Sequence, residues 1–169
     1  PPGQGSTDDV HCTSCTPGHF APTVSTSCLS CPAGFYSSES GQTSRTLCIE
    51  CQPGQFSSEP GVARCSGKCS AGQFSSETGL TNNDQCKGRC SAGKYSTEIG
   101  LFSDDQCSGR CSAGQFSSET GRTSNEQCSG RCSAGQFSAE TGLTNNDQCK
   151  GRCSAGKYST ETGLTSDDQ

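Results

Sequence analysis

Apolar side chains recur along this chain at neither helical nor simple strand spacing. No stretch places them at the 3.6-residue interval of an amphipathic helix, so the pattern predicts essentially no helix. Instead, one aromatic stands five residues behind a cysteine in each of eight successive segments: Phe20, Tyr36, Phe56, Phe74, Tyr95, Phe116, Phe137 and Tyr158. A glycine stands three residues behind the same cysteine, at Gly18, Gly34, Gly54, Gly72, Gly93, Gly114, Gly135 and Gly156. In seven segments a second glycine follows ten residues behind it, from Gly41 to Gly163. The pattern C-x-x-G-x-[FY]-S-x-x-x-G predicts a small looped hairpin. Its first glycine permits a tight turn, the aromatic and its neighbours form a short extended segment, and the second glycine allows a turn with φ > 0. A polar return segment, such as Thr81 to Gln85, leads back to a cysteine.

The segments form an array. Cys65, Cys86, Cys107, Cys128 and Cys149 are 21 residues apart, and Cys69, Cys90, Cys111, Cys132 and Cys153 each follow four residues later. A fixed period of this length marks stacked small units. Three divisions result: residues 1–11 as a linker or tail, 12–65 as three irregular cysteine-rich modules, and 66–169 as regular 21-residue repeats, the last incomplete. The irregular modules have inter-cysteine spacings of 13, 17 and 14 with C-x-x-C junctions, whereas the regular ones have a constant 17 and C-x-x-x-C junctions. A 63-residue block of three modules also repeats. Residues 132–169 differ from 69–106 only at Ser76/Ala139, Ile99/Thr162 and Phe102/Thr165.

Composition removes the ordinary globular alternative. Only 27% of residues are hydrophobic, the 16 cysteines included, and Met and Trp are absent. Such a chain cannot bury one sizeable core, so cross-links take the place of a core. Cysteine at this density in a Gly/Ser/Thr-rich background predicts a small disulfide-rich fold, an elongated solenoid-like array of short β-hairpin and loop modules, secreted or at the cell surface. Net charge is −5, with acidic and basic residues interleaved, which offers no basic face for nucleic acid and no membrane patch. No apolar run is long enough for a membrane span or a signal segment. An extracellular chain then implies a signal peptide that was removed or lies outside this sequence.

The stretch Cys31 to Cys51, CPAGFYSSESGQTSRTLCIEC, resembles the ephrin-receptor-like (GCC2/GCC3) cysteine-rich repeats, similar in shape to half-modules of tumour-necrosis-factor-receptor domains. The resemblance covers nearly all of the chain after residue 11. It implies a structural module without an activity of its own. It also implies the pairing Cys15–Cys28, Cys31–Cys48, Cys51–Cys65, Cys69–Cys86, Cys90–Cys107, Cys111–Cys128 and Cys132–Cys149, with each aromatic packed on its own module's bridge. Cys12 and Cys153 are left unpaired within this segment, an expectation that fits a window on a longer chain better than a head-to-tail disulfide polymer.

Other chemistries compete for the same residues. Cys12-x-x-Cys15 with Cys28-x-x-Cys31 has the spacing of a four-cysteine zinc ribbon. Zinc would pair the loops two by two and make alternate loops differ, whereas every loop carries the same glycine and aromatic; disulfides are the stronger reading. The C-x-x-C pairs lack the βαβ context of a redox motif. Two carboxylate rows, Glu77, Glu98, Glu119, Glu140, Glu161 and Asp84, Asp105, Glu126, Asp147, Asp168, gather too few oxygens in any one loop for an EF-type calcium site. They are expected to be solvated turn residues, some paired with Arg89, Arg110, Arg131 or Arg152. His11 and His19 stand outside the repeat, and a catalytic couple would need a unique thiol, so no enzyme and no cofactor is expected. The Ser/Thr clusters are either turn formers or O-glycan acceptors, and no N-glycosylation sequon exists.

These features predict an extracellular structural protein: a rod or filament-forming segment whose partners are itself or other extracellular matrix or surface proteins. The alternative is a receptor or adhesion ectodomain that binds a protein ligand through its irregular first modules. In those modules Phe35, Tyr36, Leu47, Ile49 and Val62 are the least repetitive apolar residues.

Overall fold

The computed structural model describes residues 13–22 and 27–169. Seven disulfides close successive loops: Cys15–Cys28, Cys31–Cys48, Cys51–Cys65, Cys69–Cys86, Cys90–Cys107, Cys111–Cys128 and Cys132–Cys149. Eight modules therefore open at Cys15, Cys31, Cys51, Cys69, Cys90, Cys111, Cys132 and Cys153. No α-helix occurs among the described residues. Seven two-stranded antiparallel hairpins and five single-turn 3-10 segments make up the regular structure of the described residues.

Each hairpin brackets a disulfide loop. In the fourth module the first strand is Gln73–Phe74, and its partner is Gly88–Arg89, beyond the closing Cys86. The polar return segment is not the second strand. It forms a 3-10 turn, Asn83–Gln85, because the Asn82 side chain accepts from the Asp84 N–H and Gln85 Oε1 accepts from the Thr81 and Asn82 N–H groups. The junction between modules is thus the second strand, with a consistent register. The aromatic faces glycine from the third module onward (Phe56 and Gly67, Phe74 and Gly88, Tyr95 and Gly109, Phe116 and Gly130, Phe137 and Gly151) but faces Leu29 or Ile49 in the first two modules. A Cβ on Gly88 would sit 2.3 Å from the Phe74 ring. The C-x-x-x-C junction therefore supplies the glycine that lets the ring lie flat across the strand pair.

Modules stack through the backbone. The Gly54 N–H donates to Ser75 O at 2.9 Å, the Ser57 N–H to Leu80 O at 3.1 Å, and the Gly79 N–H to Cys51 O at 2.9 Å, each crossing to an adjacent module. Two of the three recur one repeat later, where the Ser75 N–H reaches Leu101 O and the Gly100 N–H reaches Cys69 O. Contact extends a further step. Gly93 has φ +75, and a Cβ there would lie 2.2 Å from the carbonyl oxygen of Gly142, two modules away. Three consecutive modules thus lie side by side at every point, which makes the array solenoid-like.

The core is correspondingly divided into small clusters. Phe56 packs on Cys69, Leu80 and Cys86; Phe74 on Cys90, Leu101 and Cys107; Phe116 on Cys132, Leu143 and Cys149. Each of these aromatics covers the bridge of the following module, so the expectation that it packs on its own bridge is corrected. The reason is the stagger of the stack, which places each aromatic beside the leucine of the next unit, as in the Phe74–Leu101 bridge. Leu80, Leu101 and Leu143 are each 3% exposed. They stand eleven residues behind their cysteines, a signal the sequence contains but dilutes, because Gln42, Val62 and Arg122 fill the same place elsewhere. Arg122 occupies it with its side chain 23% exposed and its guanidinium bound to Glu119.

Candidate interaction surfaces

In six modules the serine that follows the aromatic is buried: Ser37, Ser57, Ser75, Ser96, Ser117 and Ser138. Its backbone carries the stacking bonds described above. The hydroxyls open to solvent are therefore the next ones, such as Ser76, Thr78, Ser118 and Thr120. Among the module aromatics Phe20 is buried, Tyr36, Phe56, Phe74, Tyr95, Phe116 and Phe137 are half-buried, and Tyr158 is 86% exposed. Cys153 is half-buried and outside any disulfide, while Cys12 and His11 lie outside the described residues. Among the described residues no group of three or more His, Cys, Asp or Glu side chains is placed to hold a metal. Of the thiols considered for a zinc ribbon, Cys15, Cys28 and Cys31 belong instead to two successive bridges. His19 Nδ1 lies 3.2 Å from the Pro17 carbonyl.

One polar constellation shows its meaning only in the structure. Residues four and fourteen behind each opening cysteine vary together. They are Gln73 with Asn83, Lys94 with Asp104, Gln115 with Asn125, Gln136 with Asn146 and Lys157 with Asp167. The structure joins each pair. Asn83 Nδ2 donates to Gln73 Oε1 at 3.1 Å, whereas Lys94 Nζ donates to Asp104 Oδ2 at 2.7 Å. In both forms Oδ1 of the second residue takes the backbone N–H at the module's start, Asn83 from Ser70 at 2.9 Å and Asp104 from Ser91 at 2.7 Å. A neutral pair and a charged pair thus fill one slot, and the charged version recurs with the 63-residue block.

The charged version makes the fifth module acid-sensitive. Burial pushes the Asp104 carboxyl up, but hydrogen bonds from Lys94 and Ser91 and the Lys94 charge outweigh it and hold the carboxyl below its ordinary value. A depressed carboxyl adds stability above its unfolded value, about 3.9, and that contribution is lost as pH falls through the lower folded value. The double substitution Lys94→Gln with Asp104→Asn should therefore preserve stability at neutral pH and remove this local acid loss. Asp104→Ala should cost about 1 kcal/mol by leaving the Ser91 N–H without its acceptor. Hydrogen exchange of residues 90–107 at neutral pH and at about pH 3 checks both; equal acid sensitivity in the double variant would contradict the assignment.

Two surfaces are candidates for partners. The first is apolar and uneven. Leu29, Leu47 and Ile49 are 48%, 44% and 48% exposed in the irregular modules, and Ile99 and Phe102 are 57% and 48% exposed in the fifth. Phe102 borders a cleft of about 450 Å³ with Gln52, Pro53, Gln55, Gly100 and Gln106, which spans modules three and five. Phe35, Tyr36 and Val62 are half-buried, Phe35 against the Phe20, Cys31 and Cys48 cluster.

The second surface is charged and regular. Arg89, Arg110, Arg131 and Arg152 make no ion pair among the described residues, which corrects the expected pairing with the carboxylate rows. The ion pairs run instead from Lys94 to Asp104, from Arg122 to Glu119, and from Lys157 to Asp167 and Asp168. The junction arginines lie against glycines two modules on: Arg89 on Gly121, Arg110 on Gly142 and Arg131 on Gly163.

No protein-family model matches the chain, and no curated protein matches it. A ladder of seven disulfides belongs to an oxidising compartment, and repeated disulfide-laddered hairpins fit an extracellular structural or ectodomain segment. Among the described residues no helix is long and apolar enough to cross a membrane.

Proposed function

We propose that the chain is a rod or filament-forming segment of a secreted or surface protein, built from modules of the ephrin-receptor-like kind, and that it has no enzymatic activity. The observation that carries this reading is the sameness of the stacking contacts. The glycine-to-serine, serine-to-leucine and glycine-to-cysteine backbone bonds recur from module to module. A contact reused at every unit extends a rod, while recognition of a single ligand needs unlike side chains at a few units. Electron microscopy of native material should show a thin fibre whose axial repeat is commensurate with three modules. A compact particle would defeat the proposal.

The exposed Leu29, Leu47 and Ile49 favour a second reading, a ligand-binding ectodomain that uses the irregular modules. Truncation separates the two. Loss of ligand capture on removing residues 11–65 supports the ectodomain, and loss of polymerisation on removing residues 66–169 supports the rod.

A further inference from the structure

The junction cations do not stand alone on their face. Lys68 lies against Gly100, Arg89 against Gly121, Arg110 against Gly142 and Arg131 against Gly163. Two residues before each of those glycines stands a glutamate: Glu98, Glu119, Glu140 and Glu161. All eight charged residues are exposed. In the irregular modules the same junction position holds Glu50, which accepts a hydrogen bond from Thr78, in the turn two modules on. The junction side chain and the turn after the aromatic are therefore neighbours across a two-module step. Yet no carboxylate lies within 4 Å of Lys68, Arg89, Arg110 or Arg131 among the described residues, and the only ion pair formed by these glutamates is Glu119 with Arg122. Four rungs thus each place one cation beside one carboxylate, and in the second rung Glu119 is shared with Arg122. The stem of each cation lies against a glycine, and the 21-residue period sets the spacing of the rungs.

We infer that this mixed-charge ribbon is a lateral contact through which two copies of the chain pair side by side, the lysine and arginines of one copy against the glutamates of the other. A two-fold antiparallel arrangement makes the ribbon its own complement, since each cation–carboxylate rung meets an identical rung inverted. The periods match because both surfaces are the same surface. A linear polyanion fits worse, because a chain laid along the arginines would also run along the glutamates. Single exposed ion pairs contribute little, but rungs on one rigid scaffold act together once the first is made. This inference rests on the rod reading and names the partner and surface of that rod.

Charge exchange between two variants tests it. One carries Lys68→Glu, Arg89→Glu, Arg110→Glu and Arg131→Glu; the other carries Glu98→Lys, Glu119→Lys, Glu140→Lys and Glu161→Lys. Sedimentation velocity of the full chain at low salt should show the wild type as a dimer or larger. Each variant alone should be monomeric, and an equimolar mixture should return to the wild-type mass, with all association lost at high salt. A wild-type chain that stays monomeric at low salt would overturn the inference, as would a mixture that fails to associate or tighter retention of the wild type on immobilised heparin than on itself. Scattering profiles of the high-salt monomer keep the two claims apart. An extended monomer that never pairs removes the lateral contact alone, and a compact monomer removes the rod.

Discussion

Replacing Cys90 and Cys107 together by serine should open the array at its middle rather than merely loosen one loop. The bridge closes a sequence separation of 17, and a cross-link of that size is worth about 3 kcal/mol through the unfolded chain. The loss does not end at the loop. Cys90 and Cys107 are the floor on which Phe74 of the preceding module packs, together with Leu101. Phe74 in turn pairs with Gly88 in the hairpin that leads into Cys90. The Gly121 N–H of the following module donates to Cys90 O at 2.7 Å. Removing the bridge should therefore expose residues 69–128, three modules, as one cooperative unit. Hydrogen exchange by mass spectrometry should show protection lost over all three at similar rates. Protection lost only between residues 90 and 107 would mean that the modules fold independently.

That prediction depends on features with unequal visibility in the sequence. The glycines and aromatics are legible because the same residue types recur at fixed offsets, and the positive φ at Gly72 or Gly79 is what such glycines are for. What each glycine touches is not legible. Gly93 meets the Gly142 carbonyl, far along the chain, and the period of a repeat says nothing about which neighbour a given face meets. The same limit explains the aromatics. Their spacing identifies them as core, but only the stagger of the stack decides that Phe74 covers the next bridge instead of its own.

The junction glycine is a different case. Gly88 reads as part of a spacer, because its role appears only once Phe74 is known to lie across from it. The Gln73–Asn83 and Lys94–Asp104 exchange was available in principle, since five modules vary in concert. It is invisible without knowing that a 3-10 turn carries the second residue back to the first. The junction arginines show the opposite failure. Their period suggested partners among the carboxylates, and sequence spacing cannot tell an adjacent charge from a bonded one.

The two-module contact can be isolated by comparing Gly93→Ala with Gly135→Ala. The positions are equivalent within their modules and have nearly the same backbone, φ +75 and φ +73. An alanine in this left-handed region is disfavoured by roughly 1–2 kcal/mol at either site. Only the surroundings differ. A Cβ at Gly93 would meet Gly142 O at 2.2 Å and Leu143 O at 3.0 Å, both backbone atoms, whereas nothing lies within 4 Å at Gly135. Backbone held by a disulfide and by the Gly142 N–H bond to Cys111 O cannot move aside without breaking the stack. Gly93→Ala should therefore cost at least about 3 kcal/mol, the backbone term plus overpacking, while Gly135→Ala shows the backbone term alone. Denaturant unfolding followed by far-ultraviolet circular dichroism reads the difference. Equal losses at the two sites would mean that strain at glycine, and not the neighbour two modules away, sets the need for glycine here, and the stack would then be held by adjacent contacts only.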